Sequence, residues 1–250
     1  MHPPVFGTTL AAFTRVGGAE PYIKEFRLME MTADSSQLYR LRHSLAHILA
    51  QAVQLEFPSV KLGFGPPIEN GFYYDFDFGA EIVNDSHLKQ IEKRMKKIMA
   101  QNQVFQRIDT DFNGAISICE EIKEPYKKEN VENLQGRGVE KFSFYENGPF
   151  VDICEGPHLE ATKEIPKGSY KLDRVAGAYW LGDEKNKMLT RIYALAFETK
   201  DKLDEYLKRR KLAQENDHKK IGKELELFAF DDDIGKGLPL WLPNGTVIRN

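Results

Sequence analysis

Four side chains of the kind that bind metals or move protons fall into two pairs, each four residues apart. His43 and His47 stand in "HSLAH", and Cys154 and His158 stand in "VDICEGPHL". On a helix the two histidines project within about 40° of one another. Leu41, Leu45, Ile48 and Ala52 lie on the far side, so the spacing predicts histidines on a polar face shared with Gln54. The second pair cannot ride a helix. Gly156 and Pro157 separate its members, and a proline inside a helix costs about 3 kcal/mol. One thiol and three imidazoles form a donor set that zinc accepts, but the glutamate of the HExxH protease pattern is absent. Asp152, two residues before Cys154, shares its face in a strand and either orients a histidine or stays solvated. Lys127 and Lys128 in "EPYKKEN" are surface candidates on spacing alone, and Cys119 reads as a small buried hydrophobe. The residues by themselves suggest a His/Cys hydrolytic or metal site and name no substrate. An exposed histidine pair and a loop histidine satisfied by the backbone remain the ordinary alternatives.

The elements that must position these groups follow from punctuation and period. Asp34, Ser35 and Ser36 offer N-caps to a helix whose apolar stripe ends at Pro58. "ENG" after "GPPI" predicts a turn into a strand, with Phe72, Tyr74, Phe76 and Phe78 alternating against a polar face of Tyr73, Asp75 and Asp77. "SHLKQIEKRMKKIMAQN" predicts an amphipathic helix capped by Ser86. Residues 104–125 start as strand and continue as a helix carrying Cys119. "KFSFYENGPFVDIC" predicts a hairpin, and "AGAYWLGDEKNKMLTRIYALAF" predicts strand, turn and strand. From Thr199 to about Leu225 the charged, leucine-spaced sequence predicts one exposed linking helix. Residues 1–34 show no sustained period.

Composition narrows the class. The 250 residues are 41% hydrophobic and 29% charged, enough for a real core, and the net charge of −3 gives no global attraction for nucleic acid. Two cysteines provide no disulfide framework, which favours a reducing, cytoplasmic setting. No apolar run approaches the roughly 18 residues of a membrane span, and no Lys or Arg precedes Arg15 as a signal peptide requires. A soluble protein without a membrane partner is expected.

"RHSLAHILAQAV", "GPPIENGFYYDFD", "FVDICEGPHL" and "AGAYWLGDEKNKMLTRIYALAF" occur together and in that order. This combination closely resembles the N-terminal region of bacterial-type threonyl-tRNA synthetases, specifically their second additional, or editing, domain. HxxxH with CxxxH is shared with alanyl-tRNA synthetases and alanyl-editing proteins; the "GAYWLGDEKNKMLTRIY" stretch selects the threonyl branch. The likeness covers about residues 36–197 and continues into what resembles a linker helix and the first segment of a class II catalytic core.

The resemblance implies an α+β fold, with antiparallel sheets packed on a long helix bearing HxxxH. It implies an irregular leader over 1–34 without a complete TGS domain, an editing domain over 35–198, a linker helix over 199–222 and the start of the catalytic domain over 223–250. The implied activity is hydrolysis of mischarged seryl-tRNA(Thr). The parent activity is threonine–tRNA ligation, not expected of this chain alone because it stops at Asn250 before the class II motifs. Site residues carried over are His43, His47, Cys154 and His158, with Asp152 and Lys127 beside them. The threonyl branch treats these four residues as a metal-free hydrolytic site, whereas alanyl relatives place a metal there. No cofactor is therefore expected for editing, with Zn2+ at His43, His47, Cys154 and His158 as the alternative; ATP and another Zn2+ belong to the catalytic core. The expected partner is the acylated 3′ end of tRNA(Thr), with Tyr73, Tyr74, Tyr179, Trp180 and Arg174 as contact candidates. Core packing is the plainer reading for most of these, Trp180 above all, and for the basic cluster at 208–211 the plainer reading is a solvated helix. The parent is expected as a homodimer and this chain as a monomer. A zinc hydrolase unrelated to tRNA and a non-catalytic tRNA-binding module are the competing readings.

Overall fold

The structure, a computed structural model, describes residues 33–230, 235 and 238–249; the leader expected before them lies outside the described residues. Helix α1 spans Ala33–Glu56, two residues short of Pro58. Asp34, Ser35 and Ser36 lie within its first turns rather than ahead of them as caps.

The larger sheet holds β1 (Lys61–Leu62), β2 (Pro67–Ile68), β3 (Gly71–Asp77), β7 (Tyr170–Tyr179) and β8 (Met188–Ala196). Its order is β1-β3-β8-β7 with β2 also on β3, and every pairing is antiparallel. A smaller antiparallel sheet runs β4-β5-β6, from Phe105–Thr110, Phe142–Asn147 and Phe150–Ile153. Helix α2 (Leu88–Met99) follows a 3-10 turn at Asp85–His87, and α3 (Phe112–Glu121) and α4 (Pro125–Gly136) join β4 to β5. The mixture of helices and antiparallel sheets is the expected α+β class. Asn84, not Ser86, caps the turn before α2: its side chain accepts from the Ser86 backbone N–H at 3.0 Å.

Helix α1 packs on Phe72, Tyr74 and Phe76 of β3 and on Ile192 and Ala194 of β8, and shares one core with Phe105 and Phe150 of the smaller sheet. Leu45, Ala46, Ile48, Leu49, Ala50, Ala52 and Val53 are all fully buried, so apolar cover surrounds the helix. The expected polar face of α1 is therefore not solvent-facing, and both histidines are buried. Each fully buried large side chain here contributes roughly 1.5–3 kcal/mol. A second core lies under α3 and α4, where Ala115, Cys119, Val131, Phe142 and Phe144 are buried. Cys119 is 1% exposed, as its reading as a hydrophobe requires.

Strand β3 also departs from expectation, since its second face is buried too. Tyr73 and Asp75 are 6% and 5% exposed. Arg191 explains this: its Nε donates to Asp75 Oδ1 at 2.6 Å and its other nitrogen to Oδ2 at 2.8 Å, while the guanidinium lies 3.8 Å from the Tyr73 ring centroid. Gly71 opens β3 opposite Leu195. A Cβ there would stand 1.9 Å from the Ala194 carbonyl oxygen on the neighbouring strand. Gly71→Ala is expected to cost about 3 kcal/mol in urea unfolding, because only backbone movement relieves the clash.

The β5–β6 hairpin turns at "ENG" between Asn147 and Phe150, and β7 and β8 pair across the turn expected between them, from Tyr179 to Met188. The linking helix is instead two helices, α5 (Lys200–Glu215) and α6 (His218–Glu224), interrupted at Asn216 and Asp217. Thr199 caps α5 by accepting from Lys202 N–H at 3.2 Å. The chain closes with β9 (Phe228–Phe230), β10 (Pro239–Trp241) and α7 (Pro243–Arg249). No described helix is long and apolar enough to cross a membrane.

Candidate functional site

The site forms where α1 meets the end of β6. Cys154 follows Ile153, the last residue of that strand, and is pinned by two hydrogen bonds to Ser143 of β5: its N–H donates to the Ser143 carbonyl at 3.1 Å, and Ser143 Oγ donates to the Cys154 carbonyl at 2.8 Å. The chain then turns sharply. Gly156 has φ +76°, a conformation that disfavours any side chain, and a Cβ would also meet the Tyr145 hydroxyl at 2.4 Å. The Gly156–Pro157 peptide is cis. This turn brings His158 back to Cys154, with Nε2 and Sγ 3.2 Å apart.

Ser44 on α1 fixes the returning loop. Its Oγ lies 3.1 Å from His158 Nδ1 and accepts from the Leu159 N–H at 3.0 Å. The His158 ring stacks on His43 at 4.1 Å between centroids and on Phe105 at 5.0 Å. The ligand atoms of His43, His47, Cys154 and His158 all fall within 4.8 Å of one another. The two pairs, more than a hundred residues apart in sequence, thus meet.

Asp152 and Lys127 complete the constellation. Lys127 is 1% exposed, not the surface lysine its spacing suggested. Its Nζ lies 2.5 Å from Asp152 Oδ1 and donates to the Tyr74 hydroxyl at 3.0 Å. Tyr74 in turn donates to Asp152 Oδ2 at 2.5 Å, and His47 Nε2 lies 3.9 Å from that oxygen. Lys128 points outward and pairs with Glu120 at 2.6 Å.

Burial dominates the electrostatics. It pulls His43 down to about 3, helped by His47, while Asp152 and the Pro157 backbone oppose it. Burial, then Lys127, likewise lowers His47 to about 3, and burial with the two other rings depresses His158 further. All three imidazoles are neutral at pH 7. Burial and then the Asp152 charge push the Cys154 thiol well up, so it holds its proton.

This donor set fits a zinc ion in type: three neutral imidazoles and one thiol. Tetrahedral zinc asks for ligand atoms about 3.3–3.7 Å apart, given bonds near 2.0–2.3 Å. The 3.2 Å separation of Cys154 and His158 is close to that, and the widest pair, within 4.8 Å, would have to close by about 1 Å. Zinc would also have to displace the thiol proton.

Of the residues proposed for RNA contact, Tyr73, Tyr74 and Trp180 are buried, at 6%, 0% and 4% exposure. Tyr179 is 41% exposed and Arg174 is exposed as well. In the basic cluster Arg210 is held by Asp173 at 2.6 Å, while Lys208, Arg209 and Lys211 face solvent.

Spacing alone missed Ser44 and Glu124, and Tyr74 was named for RNA contact rather than as the partner of Asp152 and Lys127. Ser44 sits inside "HSLAH", and its hydroxyl beside two histidines was the available signal. Glu124 precedes α4 and ties it to the core: Oε1 accepts from Gln54 Nε2 at 2.9 Å and Oε2 from Leu62 N–H at 2.8 Å. Burial raises its pKa from 4.5 to about 7 against the pull of the Leu62 N–H and Lys127. The folded value lies above the unfolded one, so its contribution to stability is complete below about pH 4.5 and is lost as pH rises through about 7. Relative to Glu124→Gln, the natural protein should lose about 3 kcal/mol between those limits, read from urea unfolding at several pH values.

Residues 142–193 match the family model described as "Threonyl and Alanyl tRNA synthetase second additional domain". That segment carries Asp152, Cys154, His158 and the β7–β8 hairpin. The chain is 46% identical over 217 residues to a threonine–tRNA ligase of Gloeobacter violaceus, covering 87% of this chain and 34% of that protein. It is 50% identical over 210 residues to the threonine–tRNA ligase of Anoxybacillus flavithermus and 48% identical over 210 residues to that of Clostridium tetani, each covering 84% of this chain and 32% of the relative. The chain spans about a third of the length of these curated relatives.

Proposed function

We propose, from the place of this chain among threonyl-tRNA synthetases, that it carries their editing domain and hydrolyses the ester of seryl-tRNA(Thr). One observation carries the reading: His43, His47, Cys154 and His158 present their ligand atoms within 4.8 Å of one another, beside a buried Lys127–Asp152 ion pair. Residues 35–198 form that domain in this reading, followed by a linker helix over 199–222 and the opening of a catalytic domain over 223–250. Threonine–tRNA ligation with ATP, and a homodimer, are then attributes of the longer protein.

The chemistry asks for water at an ester carbonyl, with the bond to the ribose oxygen broken and serine and tRNA released. His43 suits the first task. Its ring is neutral, and its Nδ1 is buried without a hydrogen bond of good geometry. It can therefore hold a water and orient it toward the ester carbonyl. The Lys127 ammonium, fixed on Asp152, offsets charge on the developing oxyanion or the departing ribose oxygen. Asp152 gives two contacts to Lys127 and Tyr74. A carboxylate offers about four acceptor positions, which leaves capacity for the ammonium of serine. The free ribose hydroxyl can assist the departure. Selectivity rests on one methyl group: discarding it in a synthetic pocket is worth only about 1–3 kcal/mol, so a second, tighter site that admits serine and excludes threonine is needed. If zinc binds, the His43–His47 and Cys154–His158 pairs would hold it and it would supply a Lewis acid.

Incubating the chain with seryl-tRNA(Thr) and threonyl-tRNA(Thr), with metal analysis and chelator titration in parallel, tests the reading. Serine should be released and threonine retained, with no effect of chelator. Loss of hydrolysis with chelator and a stoichiometric metal would move the four residues to zinc ligation. Binding without hydrolysis, or indifference to tRNA, would sink the proposal.

A further inference from the structure

The "GAYW" stretch does more for the site than its distance in sequence suggests. Trp180 sits at the tip of the β7–β8 hairpin and is 4% exposed. Its ring stacks on Phe64 with centroids 4.9 Å apart and an interplanar angle of 12°. Phe64 in turn roofs Lys127, whose Nζ lies 5.2 Å from the Phe64 centroid and 5.3 Å from that of Tyr74. The indole Nε1 is 3.2 Å from both carboxylate oxygens of Glu129, two residues after Lys127 on α4. On the other side of Lys127, Tyr126 packs on Trp180 at 4.7 Å and donates to Asp77 Oδ2 at 2.7 Å. Lys187, from the same hairpin, donates to that oxygen at 2.7 Å. The hairpin tip thus grips α4 just before and just after Lys127.

We propose that Trp180 is a positioning residue for Lys127: through Phe64 above the ammonium and Glu129 two residues on along α4, the indole holds that cation on Asp152. A lysine has a flexible four-carbon stem, so its ammonium keeps one position only while the walls around it are held. Phe64 is only half-buried and would not hold its place without the indole behind it. A displacement of about 1 Å at a reacting group can cost about a hundredfold in rate. An indole that merely filled the core would affect stability and leave the ammonium where it is.

The inference rests on the deacylation reading for its kinetic test and on geometry alone for its spectroscopic one. In Trp180→Leu, kcat for seryl-tRNA should fall roughly tenfold with KM within about twofold, and Trp180→Phe, which keeps the stack on Phe64, should recover most of it. The 1H–15N cross-peak of the Lys127 ammonium should shift and broaden in Trp180→Leu and stay near its native position in Trp180→Phe. Should Trp180→Leu not fold at the assay temperature, Phe64→Leu removes the roof from a half-exposed position and should give the same two changes. An unmoved cross-peak overturns the inference even if hydrolysis drops, and a raised KM with native kcat reassigns the indole to tRNA contact. If the natural chain itself does not deacylate, the functional reading fails while the cross-peak still decides the role of Trp180.

Discussion

His43→Ala is expected to lower single-turnover hydrolysis of seryl-tRNA by roughly 10²- to 10⁴-fold while leaving a cooperatively folded protein. The argument joins two properties of one ring. His43 is neutral, so it can orient a water through a ring nitrogen, and it stacks on His158 without serving as a hydrogen-bonded strut of the core. Removing it should cost about 1–3 kcal/mol in stability, since the buried ring leaves a cavity. The measurement is serine release with enzyme in excess, beside a urea unfolding curve. Native rates in a folded variant would remove His43 from the reaction and shift attention to His47 and His158.

The second large effect belongs to Lys127, and here stability and chemistry can be separated. Lys127→Met leaves Asp152, a carboxylate whose side chain is 4% exposed, with Tyr74 as its remaining close hydrogen-bonding partner. Breaking a buried pair by removing one partner costs about 3–5 kcal/mol. Adding Asp152→Asn removes the stranded charge, so the double variant should regain most of the lost stability. It should regain none of the hydrolysis, because both the cation for the oxyanion and the anchor for the serine ammonium are gone. A stable double variant that still deacylates would show the pair to be a structural device. Chemical denaturation of the single and double variants beside the natural chain, paired with deacylation rates, decides between the two roles.

Much of this was legible before any coordinates. Turn residues announced both hairpins, and helical period announced α1 and α2. The two pairs spaced by four announced the chemistry, because a Gly-Pro turn and a helix are each local devices. What was not legible depends on what packs against what. The leucine stripe of α1 marked one buried side correctly. Ala46 and Ala50, both fully buried, marked the other side only weakly. For the same reason β3 read as half-exposed, since nothing local says that Arg191, more than a hundred residues on, neutralises Asp75. Lys127 reads as a surface lysine in any local window. Its burial comes from Asp152 and Tyr74, which lie on different sheets.

That last arrangement has a kinetic consequence. Tyr74 and Asp152 are separated by 78 positions along the chain, and Ser44 and His158 by 114. Contacts that distant form late in folding, because loop closure must come first. A nascent chain with only one sheet in place would hold half of each pair and no working centre. Catalytic competence would then appear as the last event of maturation, and recovery of hydrolysis after dilution from denaturant would report when the two sheets dock.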